Sequence, residues 1–225
     1  MNHGKQLIFD SIKAIAAGVV ISFGATVFLM QENRMFSSFL FSLGLCVVCT
    51  FGLNLFTGRV GFLADHPIRN LPLVLISWAG NFVGMWGSAL MLRSTRLGET
   101  LAANGQALVD VKSGDNMWSL FVLGIYCGIL MYVAVACYNR GLQIKGPNLL
   151  GYLGIFLCVM MFIHCGFEHS IADMYYYMVS GNMTNWYSLA VILMVTLGNS
   201  VGGVGFRLLD KFVFEKIVTK VKKES

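Results

Sequence analysis

The sequence contains little charge. Only 12% of its 225 residues are Asp, Glu, Lys or Arg, whereas 56% are hydrophobic and the mean hydropathy is +0.70. About a quarter of the residues of an ordinary soluble domain are charged, so this chain lacks the polar side chains that a water-exposed surface needs. The composition therefore disfavours a soluble fold and predicts an integral membrane protein.

Charged side chains are absent from six long stretches of the chain. A membrane-spanning helix needs about 20 consecutive, mainly apolar residues, and each stretch can supply one. We expect an all-α protein with six spans at roughly 11–30, 36–56, 71–92, 118–138, 149–179 and 186–208. No polar segment is long enough for a second domain, so residues 1–225 form a single transmembrane domain.

The basic residues are distributed unequally between the connecting segments. If both termini are cytoplasmic, the outer segments hold only four of the 16 Lys and Arg residues: Arg34, Arg93, Arg96 and Lys112. The other twelve fall inside, which is the bias that orients multi-pass proteins of a bacterial-type inner membrane. The net charge of +5, including the basic tail at 211–225, then indicates topology and contact with anionic lipid rather than nucleic acid.

Two short segments recur in the second half of the chain. Gly80–Gly84 (GNFVG) is followed 118 residues later by Gly198–Gly202 (GNSVG), and Gly52–Phe56 is followed 114 residues later by Gly166–Ser170. Repeats at about 1–95 and 112–210 would each contain three spans. Because three is odd, the second repeat would enter the membrane from the opposite side, an inverted architecture typical of transporters.

Spans 2 and 5 both contain a feature that should interrupt a helix. Span 2 runs into Thr57, Gly58 and Arg59, and span 5 is too long for one simple crossing. Irregular backbone at membrane depth must face protein or water, and paired breaks in two repeats point to a substrate path. We therefore expect broken helices 2 and 5 to line the path.

Four ionisable groups of ordinary pKa lie between residues 146 and 206: His164, Glu168, His169 and Asp173. Intramembrane ionisable groups usually face a pathway. Because Asp173 follows His169 by one helical turn, its carboxylate could orient the imidazole and favour the charged ring. The alternative is a buried hydrogen-bonded group that only fixes the break. Glu168 should cap or brace the break, and His164 should be structural.

The six cysteines all fall in predicted spans. Cys46 and Cys49 form a C-x-x-C pattern, but their surroundings are wholly apolar, without the polar support that a metal or redox site requires. We expect them to pack as small apolar side chains. No metal site or cofactor is predicted.

Four motifs resemble those of the formate–nitrite transporter family. Gly166–Met174 (GFEHSIADM) resembles the family's G-F-E-H-S-V-A-N-M signature, and Leu55–Gly58 matches its L-F-T-G. Gly198–Gly203 matches the sixth-span motif G-N-x-x-G-G, and Gly124–Gly128 resembles the fourth-span G-I-L-C-N. The motifs occur in order over nearly the whole chain.

The resemblance implies an aquaporin-like fold assembled as a homopentamer, with one pore per subunit for formate, nitrite, hydrosulfide or a related small anion. It implies that His169 is the central histidine and that Thr57 supplies a hydroxyl to the anion or to His169. It also implies hydrophobic constrictions around this pair, at Phe41, Leu45, Phe56 and Phe162. Without the family, core packing would be the preferred interpretation of these four side chains.

Three further residues bear on the substrate. Lys112 matches a lysine of the outer vestibule, where it could attract anions; by itself it would be a solvated loop lysine. Asp173 stands where the family usually has Asn and would add negative charge. Gly128 replaces an Asn and would remove a polar pore group.

We expect a passive or proton-linked channel for small monovalent anions, formate first, with nitrite or hydrosulfide as alternatives. A membrane-embedded enzyme using His169, Glu168 and Asp173 as acid–base groups is the rival class, but no evident nucleophile or metal-ligand set supports it. A water or glycerol channel would need paired N-P-A motifs, which are absent.

Overall fold

The computed structural model describes residues 3–215, and every regular element in that range is helical. The basic tail beyond residue 215 therefore lies outside the described residues. The helices are α1 (His3–Met30), α2 (Arg34–Thr50), α3 (Phe56–Arg59), α4 (Pro67–Arg93), α5 (Gly98–Gly114), α6 (Met117–Gly141), α7 (Leu149–His164), α8 (Ser170–Ser180) and α9 (Trp186–Leu209). A 3-10 turn at Val60–Ala64 extends α3, and a π-helical turn begins at Asp210.

Four helices are long and apolar enough to cross a membrane by themselves. They are Gly4–Met30, Pro67–Arg93, Met117–Gly141 and Trp186–Val213, which correspond to predicted spans 1, 3, 4 and 6. The shorter apolar helices α2 and α7 stand at predicted spans 2 and 5, and each is followed by a break and a second helix. The prediction of an all-α membrane fold with broken helices 2 and 5 is confirmed.

Both breaks begin at a glycine in the left-handed conformation. Gly52 has φ 60° and Gly166 has φ 69°, a region that side chains with a Cβ rarely adopt. The chain then becomes extended, with Leu55 preceding α3 and His169 preceding α8. The equal placement of these glycines explains why the two segments recur in the sequence.

Two buried asparagines brace the breaks in the same way. Asn81 Oδ1 accepts the Phe56 N–H, while its Nδ2 donates to the carbonyl oxygens of Asn54 and Ala14. Because the groups freed by a helix break must be paired away from water, one amide side chain satisfies several of them.

Asn199 repeats this pattern at the second break. Its Oδ1 accepts the Ser170 N–H, and its Nδ2 donates to the carbonyl oxygens of Glu168 and Gly124. The repeated Gly-Asn pairs of the sequence are therefore the braces of the two broken spans.

Small residues bring the long helices together within the chain. A Cβ on Gly84 would lie 2.2 Å from the Ile15 carbonyl oxygen of α1, and one on Gly202 would lie 2.0 Å from that of Ile125 in α6. The α1–α4 and α6–α9 pairs therefore pack backbone to backbone. Gly84 and Gly202 therefore serve packing inside one subunit.

Helix α8 is enclosed by protein. All residues from Ser170 to Val179 are buried, and the helix contacts α1, α4, α5 and α9. Helix α5, which the sequence analysis did not predict, packs along α8 and carries Lys112 near its end.

Candidate functional site

The two breaks meet through one side-chain hydrogen bond. Thr57, the second residue of α3, places its Oγ1 2.9 Å from Nε2 of His169, the residue that precedes α8. Both residues are almost fully buried, at 1% and 3% exposure. The structure thus brings together the hydroxyl and the imidazole that the resemblance singled out, 112 positions apart in the chain.

The other ring nitrogen of His169 fixes the position of its proton. Nδ1 accepts the Ala172 backbone N–H at 3.1 Å, so the side chain acts as the N-cap of α8. A nitrogen that accepts a hydrogen bond holds no proton, so the neutral ring carries its proton on Nε2 and donates it to Thr57 Oγ1. The threonine O–H is then free to donate to a third group.

A phenylalanine covers the imidazole. The Phe162 ring stacks on His169 with the centroids 5.4 Å apart, and Phe41 meets Phe162 edge to face at 6.1 Å. Leu45 and Phe56 are also buried, at 1% and 4% exposure. These four side chains belong to the buried core, and their action as pore constrictions stays a prediction.

Lys112 lies beside His169 but is engaged by acidic side chains. Its Nζ forms ion pairs with Glu168 and, at 3.0 Å, with Asp173 Oδ1, and the residue is only 8% exposed. The alternative interpretation of Lys112 as a solvated loop lysine is wrong, because the residue belongs to α5 and pairs with two acidic side chains. Its role as an anion-attracting lysine of the outer vestibule stays a prediction. With all three groups ionised, this cluster carries a net charge of −1.

The partner of Asp173 also differs from the expectation. The nitrogens of His169 bond Thr57 and Ala172, while Asp173 turns to Lys112. Asp173 lies in the first turn of α8, and its carboxylate faces α5. It therefore does not hydrogen-bond the imidazole and does not directly favour the protonated ring. Glu168 likewise pairs with Lys112, and the break itself is braced by Asn199 through the Glu168 carbonyl.

A cavity of about 160 Å³ joins the lysine cluster to the imidazole; His169, Phe162 and Lys112 contribute to its lining, together with Glu168 and Asp173. Within the described residues, the buried Asp173 Oδ2 has no hydrogen-bond partner. A buried carboxylate oxygen without a donor is costly, so this atom has capacity for a proton or a donor group. We call this space the Lys112 cavity.

Gly128 does not face this site. A Cβ at this position would lie 2.2 Å from the Asn199 carbonyl oxygen, so the residue marks the contact between α6 and α9. The interpretation of Gly128 as a lost polar pore group is therefore wrong, and its small size serves packing around the brace.

The remaining candidates contribute little to this region. His164 is exposed at the end of α7, and Cys46 and Cys49 are half-buried free thiols. Within residues 3–215 no group of three or more His, Cys, Asp or Glu side chains is arranged to hold a metal ion.

Two broken helices whose ends meet at buried polar side chains, inside a bundle of apolar spanning helices, define a membrane transport protein. The sequence model described as formate/nitrite transporter matches residues 8–210. The chain belongs to the formate/nitrite transporter family.

Relatives in this family differ in the substrate that their names state. The chain is 29% identical over 188 residues to the nitrite transporter NirC of Salmonella typhimurium, covering 74% of this chain and 65% of the relative. It is 30% identical over 183 residues to the formate channel FocA of Escherichia coli K12, covering 72% of this chain and 62% of that protein. The chain thus spans slightly less than two thirds of the length of these relatives.

Solved structures share the fold. A protein described as an FNT family ion channel superposes with a TM-score of 0.77 at 23% identity, covering 91% of this chain and 89% of that one. A pentameric formate channel with formate bound gives a TM-score of 0.76 at 24% identity, covering 95% and 99%.

Proposed function

We propose that this protein is a passive or proton-linked channel for small monovalent anions, with formate as the favoured substrate and nitrite or hydrosulfide as the alternatives. The observation that carries the proposal is the Thr57–His169 pair, which joins the two broken helices at a buried point. Membership of a family whose relatives are named as nitrite and formate transporters supports the same substrate class.

The pair provides a hydrogen-bond donor for an anion in an apolar passage. A bare anion entering hydrocarbon loses its hydration at high cost, and a positioned donor offsets part of that cost. The ring donates through Nε2–H to Thr57 Oγ1, which polarises the threonine O–H toward an anion. Phe162 and Phe41 would then exclude larger, hydrated ions from this point.

A neutral His169 contributes hydrogen bonding and not a proton. It could release only the Nε2 proton, which would leave an imidazolate, and protonating Nδ1 would break the cap on α8. A proton that travels with the anion must therefore come from elsewhere. The cluster of Lys112, Glu168 and Asp173 could hold it, because one added proton brings its net charge of −1 to zero.

The assembly is proposed to be a homopentamer with one pore in each subunit, in a bacterial-type inner membrane with both termini cytoplasmic. The likeness to a pentameric channel and the excess of basic residues on one side support this arrangement.

Anion flux into proteoliposomes tests the function. The purified protein should admit formate and nitrite, and flux of hydrosulfide, an anion with one heavy atom, is measured beside them. Empty liposomes and liposomes with His169→Asn protein are the controls. Flux of water or glycerol without any anion flux would contradict the proposal, and chemical turnover of the anion by the wild-type protein would favour an enzyme.

A further inference from the structure

A second cavity, of about 230 Å³, lies on the other side of the Thr57–His169 pair. The Lys112 cavity is lined by Arg34 at the start of α2, whereas this one is lined by Val48 and Cys49 near the end of α2. It therefore opens toward the opposite end of the bundle. Leu55 and Gly58, the neighbours of Phe56 and Thr57, form part of its wall. We call it the Arg59 cavity, because the side chain of Arg59 also lines it.

Among the residues that the structure describes, Arg59 brings a positive charge to this cavity and forms no ion pair with an acidic side chain. The residue is half-buried, and its Nη2 donates to the Asn54 Oδ1 at 3.0 Å. No carboxylate of the described residues forms an ion pair with it, whereas Arg140 and Arg207 at the same end pair with Asp210 and Asp65. A guanidinium has five N–H donors, and within residues 3–215 the one side-chain bond that Arg59 donates goes to Asn54.

A neutral amide side chain bonds both this guanidinium and the carboxylate of Asp10. Asn54 Nδ2 donates to the Asp10 backbone carbonyl at 3.2 Å and to its carboxylate at 3.3 Å, while its Oδ1 accepts from Arg59. Asn54 thus stands between the positive and the negative side chain and binds both. The bland alternative is that Arg59 only braces Asn54 at the break, but that contact uses a single donor and leaves the charge on the cavity wall.

We propose that the Arg59 cavity is a binding station for a planar monovalent anion with two oxygen atoms, held by the Arg59 guanidinium next to Leu55 and Gly58. This proposal rests on the proposed function and adds a second station to it. Two parallel N–H groups of arginine match two oxygens of one anion, which gives the site a geometric preference as well as charge. Formate and nitrite have this shape, whereas hydrosulfide offers one acceptor atom and gains only the charge.

Saturation of flux in proteoliposomes tests the station, with formate, nitrite and hydrosulfide supplied separately. Arg59→Gln keeps a donor for Asn54 but removes the charge, and we expect about a tenfold rise in the half-saturating formate and nitrite concentrations, as for loss of one charge-assisted hydrogen bond. Arg59→Lys keeps the charge but lacks the two parallel N–H groups of the guanidinium. It should therefore raise the half-saturating concentrations of formate and nitrite, while that of hydrosulfide stays near the wild-type value.

A second variant tests the same idea without changing Arg59. Asn54→Asp gives the guanidinium a carboxylate partner, and it should weaken formate and nitrite saturation in the same direction as Arg59→Gln. Arg69→Gln is the matched control, because it removes the same charge from an exposed position in the first turn of α4. Assembly of each variant is checked by gel filtration. If Arg59→Gln does not assemble, Asn54→Asp is the variant that tests the proposal.

The possible results distinguish failure of the proposed binding station at Arg59 from failure of the proposed channel function. Wild-type protein that carries neither formate nor nitrite contradicts the proposed function itself. Wild-type flux with unchanged saturation in Arg59→Gln and Asn54→Asp overturns the station alone. An equal effect of Arg69→Gln also overturns it, because general surface charge would then explain the result.

Discussion

The Oγ1 of Thr57 and the Nε2 of His169 lie 2.9 Å apart and connect the first broken span to the second. Because Nδ1 of the same ring caps α8, the imidazole proton points at the threonine. The hydroxyl is thereby free to donate to a third group, which we propose to be the transported anion. This division of roles leads to separate predictions for the two side chains.

Removing the hydroxyl should impair transport while the fold remains. Thr57→Val keeps the shape of the side chain but deletes the donor, and we expect at least a several-fold fall in formate and nitrite flux, since one hydrogen bond is worth about 1 kcal/mol. Thr57→Ser retains the hydroxyl and should stay close to the wild type. The measurement is initial flux in proteoliposomes, and equal flux in the valine and serine variants would contradict the role of the hydroxyl.

Two substitutions of His169 separate its role as the N-cap of α8 from its role as a hydrogen-bond donor to Thr57. His169→Asn supplies an N-cap that suits α8 but removes the imidazole, whereas His169→Ala removes both and should lose about 1 kcal/mol of stability. Both variants should form intact oligomers and show sharply reduced or deregulated flux of weak-acid anions. Thermal unfolding and flux are measured on the same preparations. Unchanged flux with unchanged pH dependence in the asparagine variant would remove His169 from the proposed mechanism.

Lys112 should be needed for stability as well as for transport. Lys112→Met leaves Glu168 and Asp173 buried without a counter-charge, a loss that costs about 3–5 kcal/mol in buried ion pairs. Adding Glu168→Gln and Asp173→Asn to the same variant removes the charges and should restore most of the melting temperature. If the triple variant is no more stable than Lys112→Met, the cluster of charges is not the reason for the loss.

The sequence predicted the two helix breaks and the recurrence of their glycines, because these features depend on local signals: glycines, chain polarity and spacing along one segment. It did not predict the partner of Asp173. Helical spacing placed His169 within reach, but α5 brings Lys112 closer, and that contact spans 61 positions of the chain. Helix α5 itself is polar and carries no long apolar run, so a search for membrane spans passed over it.

The asparagine brace predicts a matched pair of stability effects. Asn199→Ala would leave the Ser170 N–H and two backbone carbonyls unpaired, at about 1–3 kcal/mol for each buried group. Asn81→Ala should have a similar effect, because Asn81 makes three equivalent hydrogen bonds at the first break. Unfolding of the purified protein in detergent measures both. A wild-type melting temperature in either variant would show that water or a rearranged backbone replaces the brace.

Gly128 offers a test of the packing around that brace. The family's usual Asn at this position would place a Cβ 2.2 Å from the Asn199 carbonyl oxygen, so Gly128→Asn and even Gly128→Ala should force α6 away from α9 and lower the melting temperature. Gly205→Ala is the control, since a Cβ there meets no atom within 4 Å and alanine favours the helix. If Gly128→Asn instead folds normally and changes only anion selectivity, position 128 faces the pore and the packing argument is wrong.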